Sequence, residues 1–258
     1  MLQPFQEAVT ASAKEGEERE IVFTFVMESM VHDPSHPQQL TRVHMGCGLT
    51  YLEGWINCDG GPSARAYAKL PKPLRSLIKR SGLLGTDSQT FWKFLDTHPI
   101  VYANARRQWP FHSNSVDTIY SSHMIDCLTP EQISEFFSQA YRVLKPGGEL
   151  RLAGIDMDRV IQNYLDSQDA PTFVRMISYP DPKKEHLLKR IKQAFFPPTI
   201  YLANLNFNMY NILLQQAGFE NIVKLSPGET RLKHYQPINL WQRQGESIYV
   251  EASKPGRG

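Results

Sequence analysis

Trp109-Pro110-Phe111-His112-Ser113-Asn114-Ser115-Val116-Asp117-Thr118-Ile119-Tyr120-Ser121-Ser122-His123 is the stretch from which the rest of the chain is read. Residues 116–121 form a short apolar strand that runs out into hydroxyls and an imidazole. A helix follows over residues 129–144. Thr129, Pro130 and Gln132 supply its N-cap, a first-turn proline and a capping-box partner. Ile133, Phe136, Phe137, Ala140, Val143 and Leu144 fall on one stripe of period 3.6 that must bury against a sheet. Pro146-Gly147-Gly148 stops the helix, and residues 149–155 make the next strand. Strand, amphipathic helix, strand is the unit of a parallel sheet.

The same rhythm extends in both directions. Upstream, residues 40–45 read as a strand with Val43 and Met45 on one face, ending at Gly46-Cys47-Gly48. Residues 55–59 are a second strand, ending in Asp59, and residues 100–103 a third. Downstream, Asp156 or Asp158 caps a helix bearing Val160, Ile161, Tyr164 and Leu165. A helix over 209–217 is ended by Gly218. Strands at 221–225 and 247–252 follow with no good helix between them, which predicts an antiparallel hairpin at one edge. The expected fold is α/β: seven strands, mostly parallel, helices on both faces and one antiparallel edge strand.

Residues 60–99 interrupt the rhythm. Leu70, Leu74, Leu77 and Ile78 recur at helical spacing, and Phe91, Trp92, Phe94 and Leu95 form an aromatic cluster. This insertion sits directly after the second strand, at the carboxyl edge where open α/β sheets bind ligands. Two readings stand: a helical lid, or a helical elaboration that packs on the sheet. Residues 1–39 are expected to be an N-terminal cover, set off by Pro34 and Pro37, leaving 40–258 as the main domain.

Bulk properties narrow the function classes. At 258 residues and 41% hydrophobic, the chain can bury a core without disulfides or metals. A formal charge of +2 is too small to make nucleic acid the default partner. Cys47, Cys58 and Cys127 form no CxxC pair and no metal spacing, and read as reduced small hydrophobes, so no metal is expected. Apolar runs such as Ile21-Val22-Phe23 are too short to span a bilayer. The first twenty residues lack the order of a signal peptide. A cytoplasmic protein without a membrane partner is the expectation.

The chemistry starts at Gly46 and Gly48, which let the backbone bend sharply where a Cβ would collide. Asp59 lies thirteen positions after Gly46, and an acid there accepts both hydroxyls of an adenosine ribose. A dinucleotide fingerprint asks for GxGxxG and an acid about 20 residues on, but position 51 is Tyr and the spacing is short. No GxxxxGK[ST] run is present either. A nucleoside ligand without a pyrophosphate remains.

Taken together, Gly46-Cys47-Gly48, Gly54-Trp55-Ile56-Asn57-Cys58-Asp59, the 109–123 stretch and Leu144-Lys145-Pro146-Gly147-Gly148 resemble class I methyltransferases dependent on S-adenosylmethionine. The likeness is to a bacterial branch and covers about residues 40–165. It implies a Rossmann-like sheet and S-adenosylmethionine as cofactor. Gly46, Cys47 and Gly48 would line its methionine and ribose portion, Asp59 the ribose hydroxyls, Asn104 and Ala105 the adenine. Ser121, Ser122 and His123 would face the sulfonium and any acceptor.

The chain departs from that pattern at three places. His44 replaces the usual acid or Asn, Asn104 replaces an Asp, and Asp126-Cys127 replace Glu-His near the reacting centre. His123 is the first candidate base, because histidine changes charge near neutral pH. Asp126, one helical turn on, is placed to orient it or to act directly. Tyr51, Trp109 and Tyr120 are candidates to cup a sulfonium, and Arg106 and Arg107 to meet a carboxylate. The leading expectation is methyl transfer to an O or N of a small-molecule acceptor. A lyase or cyclase acting on the cofactor alone, releasing methylthioadenosine and closing for example azetidine-2-carboxylate, stays open. So does a cofactor-binding partner protein without catalysis.

Overall fold

A computed structural model describes residues 40–82, 84–177, 203 and 205–256. The N-terminal cover expected over 1–39 lies outside the described residues. Seven strands form one sheet in the order β3-β2-β1-β4-β5-β7-β6. These are β1 (Arg42–Met45), β2 (Ile56–Asp59), β3 (Val101–Tyr102), β4 (Val116–Ser122), β5 (Leu144–Ile155), β6 (Glu220–Leu225) and β7 (Ser247–Ser253). The first five run parallel, with Val43 beside Ile56 and Ile119, and Ile119 beside Leu150. β7 runs antiparallel to β5, pairing Arg151 with Glu251, and β6 closes the edge antiparallel to β7. The expected hairpin is this edge.

Why the middle of the sheet is β1, β4 and β5 follows from composition. Val43, Met45, Val116, Ile119, Leu150 and Leu152 are all buried, as strands covered on both faces require. One boundary differs from expectation. β5 starts at Leu144, directly after the helix, and runs through Pro146-Gly147-Gly148. The ladder shifts register there, between Val116 and Thr118, and Gly147 takes a φ of +77°. The glycine pair is held by Lys254 at the end of β7, which donates its N–H to the Gly148 carbonyl and accepts from Gly147. The turn signal therefore marks an irregular strand start and not a loop.

The helices are α1 (Pro62–Lys69), α2 (Lys72–Arg80), α3 (Thr86–Leu95), α4 (Pro130–Val143), α5 (Met157–Ser167), α6 (Ala170–Ile177) and α7 (Phe207–Gln216). α4 carries the full capping box at Thr129 and Gln132, and its stripe of Ile133, Phe136, Phe137, Ala140 and Val143 is buried. Asp156 is the N-cap of α5 by position only. Its carboxylate accepts from Lys224 Nζ at 2.8 Å instead, and the other oxygen has no partner.

The two faces of the sheet are covered differently. Gly154, on the face shared with Leu150 and Leu152, meets Tyr210 of α7, which in turn lies against α4. The opposite face, bearing Tyr120, Arg151 and Glu251, is covered by residues 226–246, the long connection from β6 to β7. Leu232, Ile238 and Leu240 form a cluster there with Leu52, Trp55 and Tyr120. Trp55 Nε1 and Arg42 donate to the Gln236 carbonyl, and Tyr120 donates to Gln242. Only residues 46–55 join β1 to β2. That is too short for a crossover helix, and the later connection supplies the missing cover.

Candidate active site

At the carboxyl ends of β1 and β2 the chain builds a backbone cradle. Gly46 and Cys47 both donate their N–H groups to the Cys58 carbonyl, at 2.8 and 2.9 Å, which locks the turn to β2. Gly46 has φ +74°, and a Cβ there would collide with the Met124 side chain. Its missing side chain thus serves the protein's own packing. Gly48, at φ +51°, has open space where its Cβ would point.

Asp59 closes the cradle. Its two oxygens accept the N–H groups of Gly48 at 3.1 Å and Gly61 at 2.8 Å. A carboxylate has about four acceptor positions, so two remain for vicinal hydroxyls. Burial pushes its carboxyl up from the usual range, and the two backbone donors pull it partly back. Gly60 lies so close to the Ala103 carbonyl and Asn104 Cα that a side chain would not fit, which brings Asn104 beside Asp59. Asn104 Oδ1 accepts from the Arg106 N–H at 2.9 Å. Ala105 follows in the same turn. Sequence reasoning passed over Gly60 and Gly61, though two glycines directly after a strand-end acid are a readable signal.

His44 is turned away from the cradle. Its ring is buried, stacks on Tyr120 at 5.1 Å, and bonds Asn57 Oδ1 through Nδ1 at 3.2 Å. The Asn57 amide donates to the Leu52 and Trp55 carbonyls, so its oxygen is the acceptor and His44 Nδ1 carries the proton. Burial pulls the imidazole down to about 4, against the hydrogen bond it donates to Asn57, which raises it. The unfolded chain therefore takes a proton near 6.5 that the folded chain refuses until about 4. Stability is full above about pH 6.5 and is lost as the pH falls toward 4, by up to about 3 kcal/mol. Urea unfolding at pH 7 and pH 5 checks this: His44→Gln should flatten that slope, and an unchanged slope assigns it elsewhere.

The three thiols are raised chiefly by burial, Cys127 to about 11, so none supplies a thiolate at neutral pH. Trp109 and Tyr120 are core residues, Trp109 edge-on to Phe136 at 5.1 Å and Tyr120 edge-on to Trp55 at 6.5 Å. That leaves Tyr51, half-buried beside His98, as the aromatic near the turn.

The end of β4 holds the second group. Ser121 is buried, with no partner for its hydroxyl among the described residues, and Ser122 is half-buried beside Tyr120. His123 takes φ +49°, a strained value for a side chain of this size, held by its N–H to the Ala153 carbonyl at 2.8 Å. Nε2 bonds Ser247 Oγ at 2.9 Å, and Nδ1 stands 3.3 Å from Asp126 Oδ2 without hydrogen-bond alignment. Asp126 is 0% exposed, and the Ile155 N–H is shared between its oxygens at 3.1 and 3.2 Å. The structure thus joins His123 and Asp126, as the sequence expected, and adds Ser247 from 124 positions away. No local pattern announces Ser247.

A family model described as a methyltransferase domain matches residues 78–152, from within α2 to within β5. No curated protein matches the chain. Among solved structures, the chain is similar to a SAM-dependent methyltransferase from Archaeoglobus fulgidus, 13% identical over 98% of this chain and 99% of that one, TM-score 0.45. It is similar to a chain of the complex between the Haloferax volcanii Trm112 methyltransferase activator and a methyltransferase, 14% identical over 100% and 97%, TM-score 0.44. A SAM-dependent methyltransferase from Thermotoga maritima is 12% identical over 98% and 94%, TM-score 0.42. The methyltransferase-domain match indicates S-adenosylmethionine as the cofactor, and the open face of Gly48 with the unfilled positions on Asp59 fits it.

Proposed function

We propose that the protein transfers a methyl group from S-adenosylmethionine to an oxygen or nitrogen of a small-molecule acceptor. The observation that carries this reading is the cradle: Gly48 facing open space beside an Asp59 carboxylate that two backbone N–H groups hold in place. The cofactor brings a carbon already activated by its sulfonium. The protein's own work is to position the acceptor, exclude water and take up a proton when the acceptor carries one. Gly46, Cys47, Gly48 and Asp59 hold the methionine and ribose portion, Asn104 and Ala105 the adenine, and Ser121 and Ser122 line the floor.

His123 is the group we assign to proton uptake, at Nε2, where the acceptor takes the place of the Ser247 hydroxyl. Asp126 is its positioning residue: fully buried, it cannot reach an acceptor, and it stands 3.3 Å from the ring's Nδ1. The helical insertion 60–99 and the 226–246 connection supply the acceptor-side walls. His123→Ala is expected to cut kcat about a hundredfold, the low end for a lost acid–base group, with cofactor affinity retained. Near-wild-type turnover would leave the histidine as a bracket between β4 and β7.

A second reading is favoured by one observation, that His123 is only 8% exposed and Asp126 not at all. Chemistry confined to the cofactor needs no external acceptor. Mass spectrometry of the enzyme incubated with S-adenosylmethionine alone separates the two. Stable cofactor, with S-adenosylhomocysteine formed only on adding acceptors, is expected. Rapid release of methylthioadenosine would overturn methyl transfer and point to a lyase or cyclase.

A further inference from the structure

Helix α2 leaves apolar side chains exposed on a basic surface. Its attached side carries Arg75, Ile78 and Lys79: Arg75 stacks on the Tyr67 ring of α1 at 4.3 Å, and Lys79 binds both oxygens of Asp96, just past α3, at 3.0 and 2.7 Å. Its outward side carries two leucines among Lys72, Ser76 and Arg80. Leu74 and Leu77, one turn apart, are 40% and 63% exposed beside exposed Pro73, and no residue of α2 is buried. Surface helices ordinarily do the reverse, turning the apolar stripe inward.

The charge around these leucines is mostly basic, with Asp96 taken up by Lys79. Arg65, Lys69, Lys72, Arg75, Lys79 and Arg80 are six cations with no acid between residues 60 and 86. Removing them from the formal +2 leaves −4 on all other residues, so the chain's basicity is gathered here. Arg65, Lys69, Lys72 and Arg80 are exposed.

We propose that α2 is a docking face for an anionic lipid surface, with Leu74 and Leu77 entering the interface and the flanking cations meeting the headgroups. Apolar residues on one side of a short helix with basic residues around them are the recognised chemistry of interfacial association. A protein partner fits less well, because a stable complex buries about 800 Å² per side, polar and apolar together, whereas the apolar part here is two leucines and a proline on one short helix. Among the described residues no helix is long and apolar enough to cross a membrane, so the association is peripheral. α2 lies in the connection that leaves the carboxyl end of β2, separated from Asp59 and Gly61 by α1. A docked enzyme would thus hold its cofactor edge close to the lipid plane, where an acceptor carried in the membrane is within reach.

The test is flotation of the full chain with vesicles of equal phosphatidylglycerol and phosphatidylcholine, against phosphatidylcholine alone. Binding only to the anionic vesicles, weakening as salt is raised, is expected. Lys69→Gln with Arg80→Gln should lower partitioning roughly 25-fold, about fivefold per cation. Leu74→Ser with Leu77→Ser should lower it at least tenfold. Both variants keep S-adenosylmethionine affinity by calorimetry, which shows that they fold. Absence of wild-type binding to the anionic vesicles, or equal binding by the variants, overturns the proposal. So does binding to polyglutamate with vesicles ignored. A wild-type protein that binds vesicles but not S-adenosylmethionine would overturn the cofactor reading and leave this one standing.

Discussion

Asp59→Ala raises the dissociation constant for S-adenosylmethionine about a thousandfold, measured by calorimetry at neutral pH. Two hydroxyl donors to one carboxylate are each worth about 1.5–3 kcal/mol, and both are lost together. The same substitution strips the acceptor from the Gly48 and Gly61 N–H groups, so the cradle loses its shape as well as its charge. The pH dependence has a definite sign. Burial holds the free Asp59 carboxyl above its ordinary value, and hydroxyl donors favour the charged form. Cofactor affinity is therefore full where the carboxylate is ionised and falls as the pH drops through that raised value. Asp59→Asn should bind weakly and without this slope. Affinity within a few-fold of wild type in Asp59→Ala would mean that Asp59 is a turn brace and that the ribose lies elsewhere.

The sheet was legible because its signals are local. The capping box at Thr129 and the stripe from Ile133 to Val143 fix α4 whatever surrounds it. The β-α-β rhythm then dictates parallel pairing and the carboxyl edge as the site. Asp59 was legible for the same reason, a strand-end acid at short range from a glycine turn. What the sequence hid is long-range. His44 sits at a position that suggests ligand contact, yet Asn57 and Tyr120 claim its ring. Gly46 also has a packing reason to be glycine, the Met124 side chain 78 positions on. Ser247 reaches His123 only because β7 inserts between β5 and β6. Residues 226–246 read as a plain connection, because the cluster they form with Leu52 and Trp55 joins residues far apart in the chain.

That cover is held by a buried ion pair, and breaking it has the largest effect on stability. Arg151 Nη1 contacts Glu251 Oε1 at 2.5 Å across β5 and β7, both side chains almost wholly buried. Glu251 also accepts from Thr230 Oγ1 at 2.6 Å and the Arg231 N–H at 2.7 Å, while Arg151 donates to the Glu229 carbonyl at 3.0 Å. One carboxylate thereby ties the start of the connection to the sheet face. Glu251→Ala leaves a buried guanidinium unpaired, and Arg151 Nη2 already has no partner. The expected cost is about 3–5 kcal/mol, a fall in Tm on the order of 10 °C for a domain of this size. Hydrogen exchange should rise first over residues 226–246, where Leu232, Ile238 and Leu240 lose their anchor. Arg151→Met with Glu251→Leu removes both charges and should regain much of the loss, because two desolvated ions then no longer have to be balanced. It falls short of wild type, since the Arg231 N–H keeps no acceptor. A Glu251→Ala cost below about 1 kcal/mol would show that water reaches the pair, and that the leucine cluster alone holds the connection in place.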